Sequence, residues 1–326
     1  MCILKNKNIF IAALDWGLGH ATRCVPLIQK LATHNNIIIG VTPTTLPIFE
    51  EHFPQLKKVT IEAYHIRYST IIPLTLKLAL DSARILRVIK REHQQLAAYV
   101  KQYKIDVVIS DNRFGLWNKH THNIYITHQL QIKAGIFSKI ATKIHHRYMK
   151  QFHEIWVPDY EDDAQSLAGD LSRHKNKLHV KYIGPLSRLV LLNETIEKPI
   201  NFLYLLSGPE PLRTQLEEQI IQLANHSTKS IVIARGTKKP LPTSMKPHIK
   251  CYDMPDAATL STLICAAQHI ICRSGYSTLM DLHLLHKKQI TLIPTPHQSE
   301  QIYLAKYWAT KFGIKPKLCI SNFITS

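Results

Sequence analysis

The sequence predicts an α/β protein of two domains, each with a parallel β-sheet covered by helices on both faces. Three observations predict it: the chain length, the apolar character of the strand-sized runs, and their alternation with helix-sized stretches. A chain of 326 residues exceeds one typical domain and suits two. Continuous apolar runs are typical of strands buried on both faces. Regular β-α alternation predicts that these strands lie parallel.

The alternation occurs twice along the chain. The first half predicts strands at residues 9–14, 36–41, 106–110, 123–126 and 154–157, with a helix at 21–32. The second half predicts strands at 201–207, 230–234, 269–272 and 289–294, with helices at 209–224, 256–267, 276–286 and 298–311. Between them, residues 184–199 hold Pro185 and the polar run NETIEKP, which favours a linker. We therefore expect two Rossmann-like domains, at 1–190 and 199–326, facing a cleft lined by the carboxyl ends of their strands.

Composition excludes several classes of protein and leaves others open. With 45% hydrophobic and 20% charged residues, the chain is globular rather than disordered. Its net charge of +18 attracts polyanions, but the basic residues are spread out, so no specific nucleic-acid partner is expected. The six cysteines form no CxxC pair, which favours reduced thiols in a cytoplasmic protein. The N-terminal apolar run has strand length, so it predicts a strand rather than a signal peptide.

The turn after the first strand carries the first candidate site. Gly17 and Gly19 permit a tight turn and a close backbone approach to a ligand, and the helix start offers N–H groups. Thr22 replaces the third glycine of a dinucleotide fingerprint, so nicotinamide binding is not favoured. His20 is a candidate general base toward an acceptor hydroxyl, or a histidine that only packs the turn. Arg23 is interpreted as a phosphate ligand or as one partner of an ion pair on the helix.

Two further residues of the first half follow predicted strands. Asp111 ends the strand at 106–110 and is a candidate to orient His20 and stabilise its charged form. Capping of the following segment is an equal alternative for this carboxylate. His128 follows the strand at 123–126 and is a further candidate on the same side.

The second half holds a more specific set of loops. Each of three predicted strands is followed by small or hydrogen-bonding residues that open a helix, an arrangement that suits a diphosphate on backbone N–H groups. Ordinary helix capping is the alternative. The candidate donor-binding residues in these loops and their helices are Ser207, Gly208, Arg273, Ser274, Gly275, Ser277, Asp281, His297, Gln298, Glu300 and Gln301.

The segments DWGLGHATR, RSGYSTLMDL and IPTPHQSEQIYLA, in this order, resemble family 28 glycosyltransferases, the MurG-like proteins of the GT-B class, in a bacterial branch that shares these segments. The resemblance covers nearly the whole chain. It implies a GT-B fold, a UDP-sugar donor, inversion at the anomeric carbon, no essential metal and no further cofactor. The absence of a DxD motif agrees with it.

The resemblance also implies roles for individual residues. Asp281 matches the ribose-binding acid of the family, Ser274 and Gly275 match its phosphate loop, and Gln298 and Gln301 match its donor-sugar glutamines. Arg188 resembles its linker arginine near the donor phosphates. The pair His20 and Asp111 is more similar to the base dyad of UDP-glycosyltransferases that act on small molecules. The first glycine loop, WGLGH, departs from the GGTGGH of the family.

The function these observations predict is transfer of a hexose or N-acetylhexosamine from a UDP-sugar to an acceptor that the sequence does not identify, lipid-linked hydroxyls included. Residues 73–91 predict a basic amphipathic helix that either rests on an anionic membrane at the inner face or packs its apolar stripe, with Ile85 and Ile89, in a core. Two alternatives stay open: a UDP-sugar 2-epimerase of the same fold, and a non-catalytic polyanion-binding protein.

Overall fold

A computed structural model describes residues 4–65, 80–173, 178–192 and 199–316 of the chain. The described residues divide into two compact units, one ending at Leu186 and one beginning at Ser187. The division falls before residue 190, where the sequence suggested the end of the first domain. The reason is that Ser187 donates a hydrogen bond to Asp281 and the Val190 amide donates one to Ser261, so residues 187–190 belong to the second unit.

The first unit is a seven-stranded parallel sheet with helices on its faces. Its strands are β1 (Asn8–Ala13), β2 (Asn36–Val41), β3 (Lys57–Thr60), β4 (Val107–Asp111), β5 (His122–Ile126), β6 (Glu154–Val157) and β7 (Val180–Tyr182). Its helices are α1 (Leu18–Ala32), α2 (Leu46–His52), α3 (Ser82–Tyr103) and α4 (Ser138–Met149), with short 3-10 turns at Gly135–Phe137 and Gly169–Ser172. The strand order is β3-β2-β1-β4-β5-β6-β7, and every pair is parallel.

The second unit repeats this plan with six parallel strands. Its strands are β8 (Ile200–Leu205), β9 (Ile231–Ala234), β10 (Ile249–Tyr252), β11 (Ala267–Cys272), β12 (Ile290–Leu292) and β13 (Lys315–Pro316). Its helices are α5 (Leu212–Ala224), α6 (Ala257–Ala266), α7 (Tyr276–Leu284) and α8 (Ser299–Phe312). The strand order β10-β9-β8-β11-β12-β13 is the same as that of the first six strands of unit one. The prediction of two Rossmann-like α/β domains is confirmed.

The apolar strands are buried because helices cover both faces of the sheet. In β1, Ile9 and Ile11 pack in one core cluster with α1, while Phe10 packs in another with Leu96 of α3. Successive side chains of a strand point to opposite faces, so both faces need an apolar cover. This explains why β1 shows no polar alternation in the sequence.

The strand order places one reversal point in each sheet. The first strand of each unit, β1 or β8, lies between the second and the fourth strand of that unit. Loops that leave neighbouring strands in opposite directions at such a point open a crevice beyond the carboxyl ends, where open α/β sheets bind ligands. In unit one the register pairs Ala13 with Asp111 there, and in unit two it pairs Leu205 with Cys272.

A buried ionic network supports the turn after β1. The Arg113 guanidinium donates to Glu92 of α3 at 2.9 Å and lies 3.4 Å from Asp15, and both Arg113 and Glu92 are fully buried. Tyr64 donates to Glu92 at 2.7 Å, and burial raises the pKa of that carboxyl. Removing one partner would leave an uncompensated buried charge, so the network fixes α3 and the turn together.

Close packing also holds α3 against the loop after β4. A Cβ added at Gly115 would lie 2.2 Å from the Ile89 carbonyl oxygen, so only glycine allows this approach. In this helix Ile85 and Ile89 pack with Leu14 and Tyr64. The described part of the apolar stripe predicted at 73–91 therefore packs in the core, while residues 73–79 lie outside the described residues.

Candidate functional site

A cluster of polar side chains occupies the reversal point of the first sheet. Asp111 ends β4, and both its oxygens are fully buried. The Arg23 guanidinium reaches Asp111 through two nitrogens, with Nε 2.6 Å from Oδ2 and Nη2 in contact with Oδ1. His20 Nδ1 lies 2.9 Å from Asp111 Oδ1, and His128 Nδ1 lies 3.3 Å from Arg23 Nη1. The structure thus brings together four residues that the sequence singled out separately.

Helix α1 supplies this geometry. Because His20 and Arg23 are three residues apart on α1, they lie on one face of it, toward the end of β4. Of the two interpretations of Arg23, the structure shows an ion pair, and the pair is buried rather than on the helix surface. The phosphate role considered for Arg23 finds no support here, because the Asp111 carboxylate already pairs with its guanidinium. Gly17 lies just before α1, and Gly19 lies in its first turn.

The charges of the cluster shift two pKa values in the same direction. Burial would raise the pKa of Asp111, but the charges and hydrogen bonds of Arg23 and His20 together outweigh burial and hold that pKa well below its usual range. Burial lowers the pKa of His20, and the Arg23 charge lowers it further, against the opposing effect of Asp111. His20 is therefore neutral at neutral pH. A neutral imidazole can accept a proton, and the His20 side chain keeps about 20% of its surface exposed.

The tautomer of His20 decides what this imidazole can do. Arg23 Nη2 and Asp111 Oδ1 both lie 2.9 Å from His20 Nδ1, yet a guanidinium only donates and a carboxylate only accepts. With the proton on Nδ1, His20 donates to Asp111 and its Nε2 can accept a proton from a hydroxyl. With Arg23 donating to Nδ1, the proton sits on Nε2 and the ring cannot act as a base there.

The loops after three neighbouring strands of the second sheet form one bonded platform. The Arg273 guanidinium, just after β11, donates to the carbonyls of Pro294 at 2.9 Å, Ile293 at 3.3 Å and Leu212 at 3.4 Å. Gly208, after β8, faces Thr295, since an added Cβ would lie 3.7 Å from the Thr295 hydroxyl. The loops after β8, β11 and β12 are thereby tied to one another at the reversal point of this sheet.

Arg273 is a buried cation with an unusual set of partners. Its side chain is 5% exposed, and burial lowers its pKa to about 10. Within the described part of the chain, its Nε has no hydrogen-bond partner and no carboxylate pairs with it. The other buried arginines of this unit, Arg213 and Arg235, both pair with Glu217. A buried charge is expensive without a counter-charge, so the surroundings of Arg273 favour an anion.

Helix α7 begins at Tyr276, three residues after Arg273, and has a glycine cap. Gly275 caps it without a side-chain hydrogen bond, and a Cβ added there would meet no atom of the described residues within 4 Å. Helix α6 of the same unit is capped conventionally, because the Asp256 carboxylate accepts from the Thr259 amide at 2.7 Å. The positive end of α7 and the Arg273 charge together suit a phosphate.

Several predicted donor residues have structural partners instead. The Ser274 hydroxyl is buried and donates to the Gln301 carbonyl at 2.8 Å, so it is not directed at a ligand as expected. The Gln301 side-chain oxygen accepts from the Thr295 amide at 2.9 Å. The first contact ties the segment before α7 to α8, and the second ties α8 to the loop after β12. The buried atoms Thr295 Oγ1 and Gln298 Oε1 have no partner among the described residues, and sequence reasoning had not singled out Thr295.

The remaining donor candidates surround this platform. Ser207 follows β8, Ser277 and Asp281 lie in α7, His297 is exposed before α8, and Glu300 lies in the first turn of α8. At α5, Glu210 accepts from the Thr214 amide at 3.3 Å, so a carboxylate already occupies that helix start. The structure therefore favours α7 over α5 as the phosphate-binding helix of this unit.

Asp281 lies farther along α7 and faces the start of the second unit. Its carboxylate accepts from the Ser187 hydroxyl, and Arg188 is close enough to influence it electrostatically. Burial raises the pKa of Asp281 to about 7, against the opposing effects of Ser187 and Arg188. Hydrogen bonds from Thr259 are the main cause that lowers the pKa of Asp256, and the charge of Arg188 lowers it further. Arg188 therefore lies near both acids.

A cavity opens at the carboxyl ends of β9 and β10. It has a volume of about 380 Å³ and is lined by Lys238, Tyr252, Asp253, Met254 and Pro255.

The His, Cys, Asp and Glu side chains in the described ranges form no group suited to a metal ion. No helix in those ranges is both long enough and apolar enough to cross a membrane.

No protein-family model and no curated protein matches this sequence. Solved structures do match it. A spinosyn rhamnosyltransferase in complex with thymidine diphosphate is 13% identical, with a TM-score of 0.63 over 93% of this chain and 84% of that one. The glycosyltransferase of kitacinnamycin is 11% identical, with a TM-score of 0.65 over 98% and 87%. MurG from Acinetobacter baumannii is 13% identical, with a TM-score of 0.52 over 96% and 86%.

These structural neighbours establish the fold of the chain. All three are glycosyltransferases of the GT-B type, and each likeness extends over both units. The predicted GT-B fold is therefore confirmed.

Proposed function

We propose that this protein is an inverting glycosyltransferase that transfers a hexose or N-acetylhexosamine from a UDP-sugar to an acceptor hydroxyl. The observation that carries the proposal is the buried Arg273 guanidinium, which has no carboxylate partner among the described residues and shortly precedes the glycine-capped start of α7. A nucleotide diphosphate supplies the missing negative charge and accepts hydrogen bonds from the helix amides.

The donor is assigned to the second unit. Its diphosphate lies at Gly275 and the first turn of α7, where a ligand can approach the backbone closely. Asp281 accepts hydrogen bonds from the ribose hydroxyls, and the cavity beside Tyr252 has room for the base. Arg188 and the α7 dipole stabilise the negative charge that develops on the departing diphosphate. No step requires a metal or a further cofactor.

The first unit supplies the base. Neutral His20, with its proton on Nδ1 and held by Asp111, accepts the acceptor hydroxyl proton at Nε2 as the oxygen attacks the anomeric carbon. The oxygen–carbon bond forms while the bond from carbon to diphosphate breaks, so the configuration at this carbon inverts. The acceptor remains open, and lipid-linked and small-molecule hydroxyls are both candidates.

Nucleotide binding by Arg273 variants tests the donor site. UDP, GDP and dTDP, each with and without a sugar, are titrated by calorimetry against the wild type and Arg273→Met. The methionine variant should bind at least about tenfold more weakly, because it removes the charge facing the phosphates. Arg273→Lys should retain part of the affinity. Strong binding of GDP or dTDP alone would replace the UDP assignment.

Lys287→Met is the matched control for these variants. Lys287 is also a cation bonded to carbonyls, those of Cys265 and Ala267, but it lies at the amino end of β11. Its loss should leave nucleotide affinity unchanged. Equal binding by Arg273→Met and the wild type would overturn the donor site.

Product analysis distinguishes transfer from epimerisation. The protein is incubated with UDP-N-acetylglucosamine alone and with a panel of hydroxyl acceptors, and the sugars are followed by NMR. The proposal expects UDP release that depends on an acceptor, with inverted configuration in the product. An epimerised sugar nucleotide formed without acceptor would support the epimerase instead.

A further inference from the structure

The outer face of α4 and the turn before it expose four large apolar side chains. Ile136 is 89% exposed, Phe137 56%, Ile140 61% and Ile144 54%. Ile136, Ile140 and Ile144 are spaced by four residues, so they lie on one side of the turn and helix. Single exposed apolar residues are ordinary, but a contiguous row marks an interaction site.

The opposite face of α4 anchors the helix to the unit. His145 and Met149 are buried there, and Met149 packs in a core cluster with Tyr125, Leu130 and Phe152. The helix therefore has a conventional inner face and a second apolar row on its outer face. The core does not account for the outer row, because those side chains face solvent.

Positive charge accompanies the apolar row. Lys143 and Arg147, four residues apart, follow the same side of the helix, and Lys139 and Lys150 lie at its border. All four are exposed, and the sequence from 131 to 150 contains no Asp or Glu. Lys133, just before the turn, pairs with Asp170 at 3.0 Å and is not counted here. The face is thus apolar along its length and cationic around it.

We propose that this face, Ile136 to Arg147, binds the surface of an anionic phospholipid bilayer. The isoleucines and Phe137 enter the boundary between headgroups and acyl chains, while the lysines and Arg147 extend to the lipid phosphates. Attraction to anionic lipid adds to the apolar contribution, and neither requires a spanning helix. The inference is independent of the proposed glycosyl transfer, since it concerns a different surface of the first unit.

Charge argues against two other occupants of this face. A second copy of the chain in a two-fold contact would bring one cationic helix against another, which is unfavourable. A nucleic acid would pair with the cations, but it would leave Ile136 and Ile140 against a charged backbone. A bilayer is the surface that accommodates both the apolar row and the cations.

Vesicle co-sedimentation of the full chain tests the proposal. Vesicles of phosphatidylglycerol and phosphatidylcholine in equal parts are compared with vesicles of phosphatidylcholine alone. The wild type should bind the anionic vesicles, and Ile140→Ser with Ile144→Ser should weaken binding by about tenfold or more, since each change removes apolar area from the bilayer. Lys143→Glu with Arg147→Glu should weaken it by about tenfold or more as well.

Val190→Ser is the matched control, because Val190 is also an exposed apolar residue, at 66%, but lies in the second unit. It should bind vesicles as the wild type does. All these positions are exposed, so circular dichroism should show unchanged melting temperatures. Equal binding by the wild type and the double serine variant would overturn the proposal, as would equal binding to both kinds of vesicle. A dimer in size-exclusion chromatography that the serine variant dissociates, without vesicle binding, would assign the face to self-association.

Discussion

At the scale of single residues, Arg23 changes the chemistry expected of His20. The sequence suggested a carboxylate–histidine pair, in which Asp111 raises the basicity of the ring. The structure adds a buried guanidinium that contacts both partners. Arg23 neutralises Asp111 and adds to the effect of burial in lowering the pKa of His20, so it acts as a positioning residue for the proposed base.

Replacing Arg23 tests this effect on the His20 ring. In Arg23→Met the lowering influence of the guanidinium is lost, so we expect the His20 pKa to rise. The His20 signals followed by NMR against pH should then titrate at higher pH, and the acid limb of kcat/KM should move the same way. Arg23→Lys should stay near the wild type.

Lys30→Met serves as the control, because Lys30 lies in the last turn of the same helix α1 and is exposed. It should leave the His20 titration in place. If Arg23→Met lowers stability but leaves the His20 midpoint unchanged, Arg23 is structural only.

The ribose contact proposed for Asp281 should make nucleotide affinity depend on pH. Only its ionised carboxylate accepts hydrogen bonds from two ribose hydroxyls, and its pKa is raised to about 7. Affinity should therefore fall as the pH drops through about 7, by up to about tenfold per pH unit below it. Calorimetry with UDP measures this, and Asp281→Asn removes the Asp281 contribution while retaining the titration of UDP itself. Parallel pH curves for the two proteins would refute the assignment.

The same shift has the opposite sign for folding. Because the pKa of Asp281 is higher in the folded chain than in the unfolded one, the folded state binds more protons between about pH 4 and 7. Stability that is present at low pH is thus lost as the pH rises toward 7. Without nucleotide, Asp281→Asn should raise the melting temperature more at pH 8 than at pH 4.

At the scale of secondary-structure elements, the glycine cap of α7 allows the effect of a substitution on ligand binding to be separated from its effect on stability. Gly275 has φ −72°, which alanine adopts readily, and its added Cβ would point into empty space. Gly275→Ala should therefore leave the free energy of unfolding unchanged or raise it by roughly 0.5 kcal/mol. The methyl group would stand where the phosphate approaches, so UDP affinity should fall by about tenfold.

Thermal unfolding and calorimetry on Gly275→Ala measure the two effects on the same protein. An unchanged UDP affinity would place the diphosphate elsewhere. A large loss of stability would show instead that this backbone carries strain, which its φ value does not predict.

The elements that the sequence predicted and those it missed differ in their position in the sheets. Strands β2 and β6 have the predicted bounds, and both are interior strands with continuous apolar runs. The missed strands β3, β7, β10 and β13 are the edge strands of the two sheets. An edge strand has one paired neighbour and tolerates polar residues, as in β3 (KKVT), so apolar patterning does not reveal it.

The buried ionic groups were harder to predict than the site loops. His20, Asp111 and the loop at Gly275 follow strands in the sequence, and the strand order brings them to the reversal points of their sheets. Glu92 gave one usable signal, since it stands four residues from both Val88 and Leu96 on the buried stripe of α3. Its partner Arg113 gave none, because the pairing depends on tertiary packing.

At the scale of the whole molecule, the net charge of +18 raises the alternative of a polyanion-binding protein. The two alternatives differ in their response to salt. Binding to duplex DNA through scattered surface cations depends on counterion release and falls steeply as salt rises. UDP at the proposed site, a helix start near the largely buried Arg273, would be screened much less.

We therefore expect the two affinities to separate when salt is raised about tenfold, with DNA binding falling by a hundredfold or more and UDP binding by about tenfold at most. Fluorescence anisotropy with a labelled duplex and calorimetry with UDP measure them on the same preparation. Arg273→Met should reduce only UDP binding, because one buried cation contributes little to a dispersed surface field. DNA binding that persists at high salt and is abolished by Arg273→Met would favour the polyanion-binding alternative. In that case the anion site at Arg273 would bind nucleic acid rather than a sugar nucleotide.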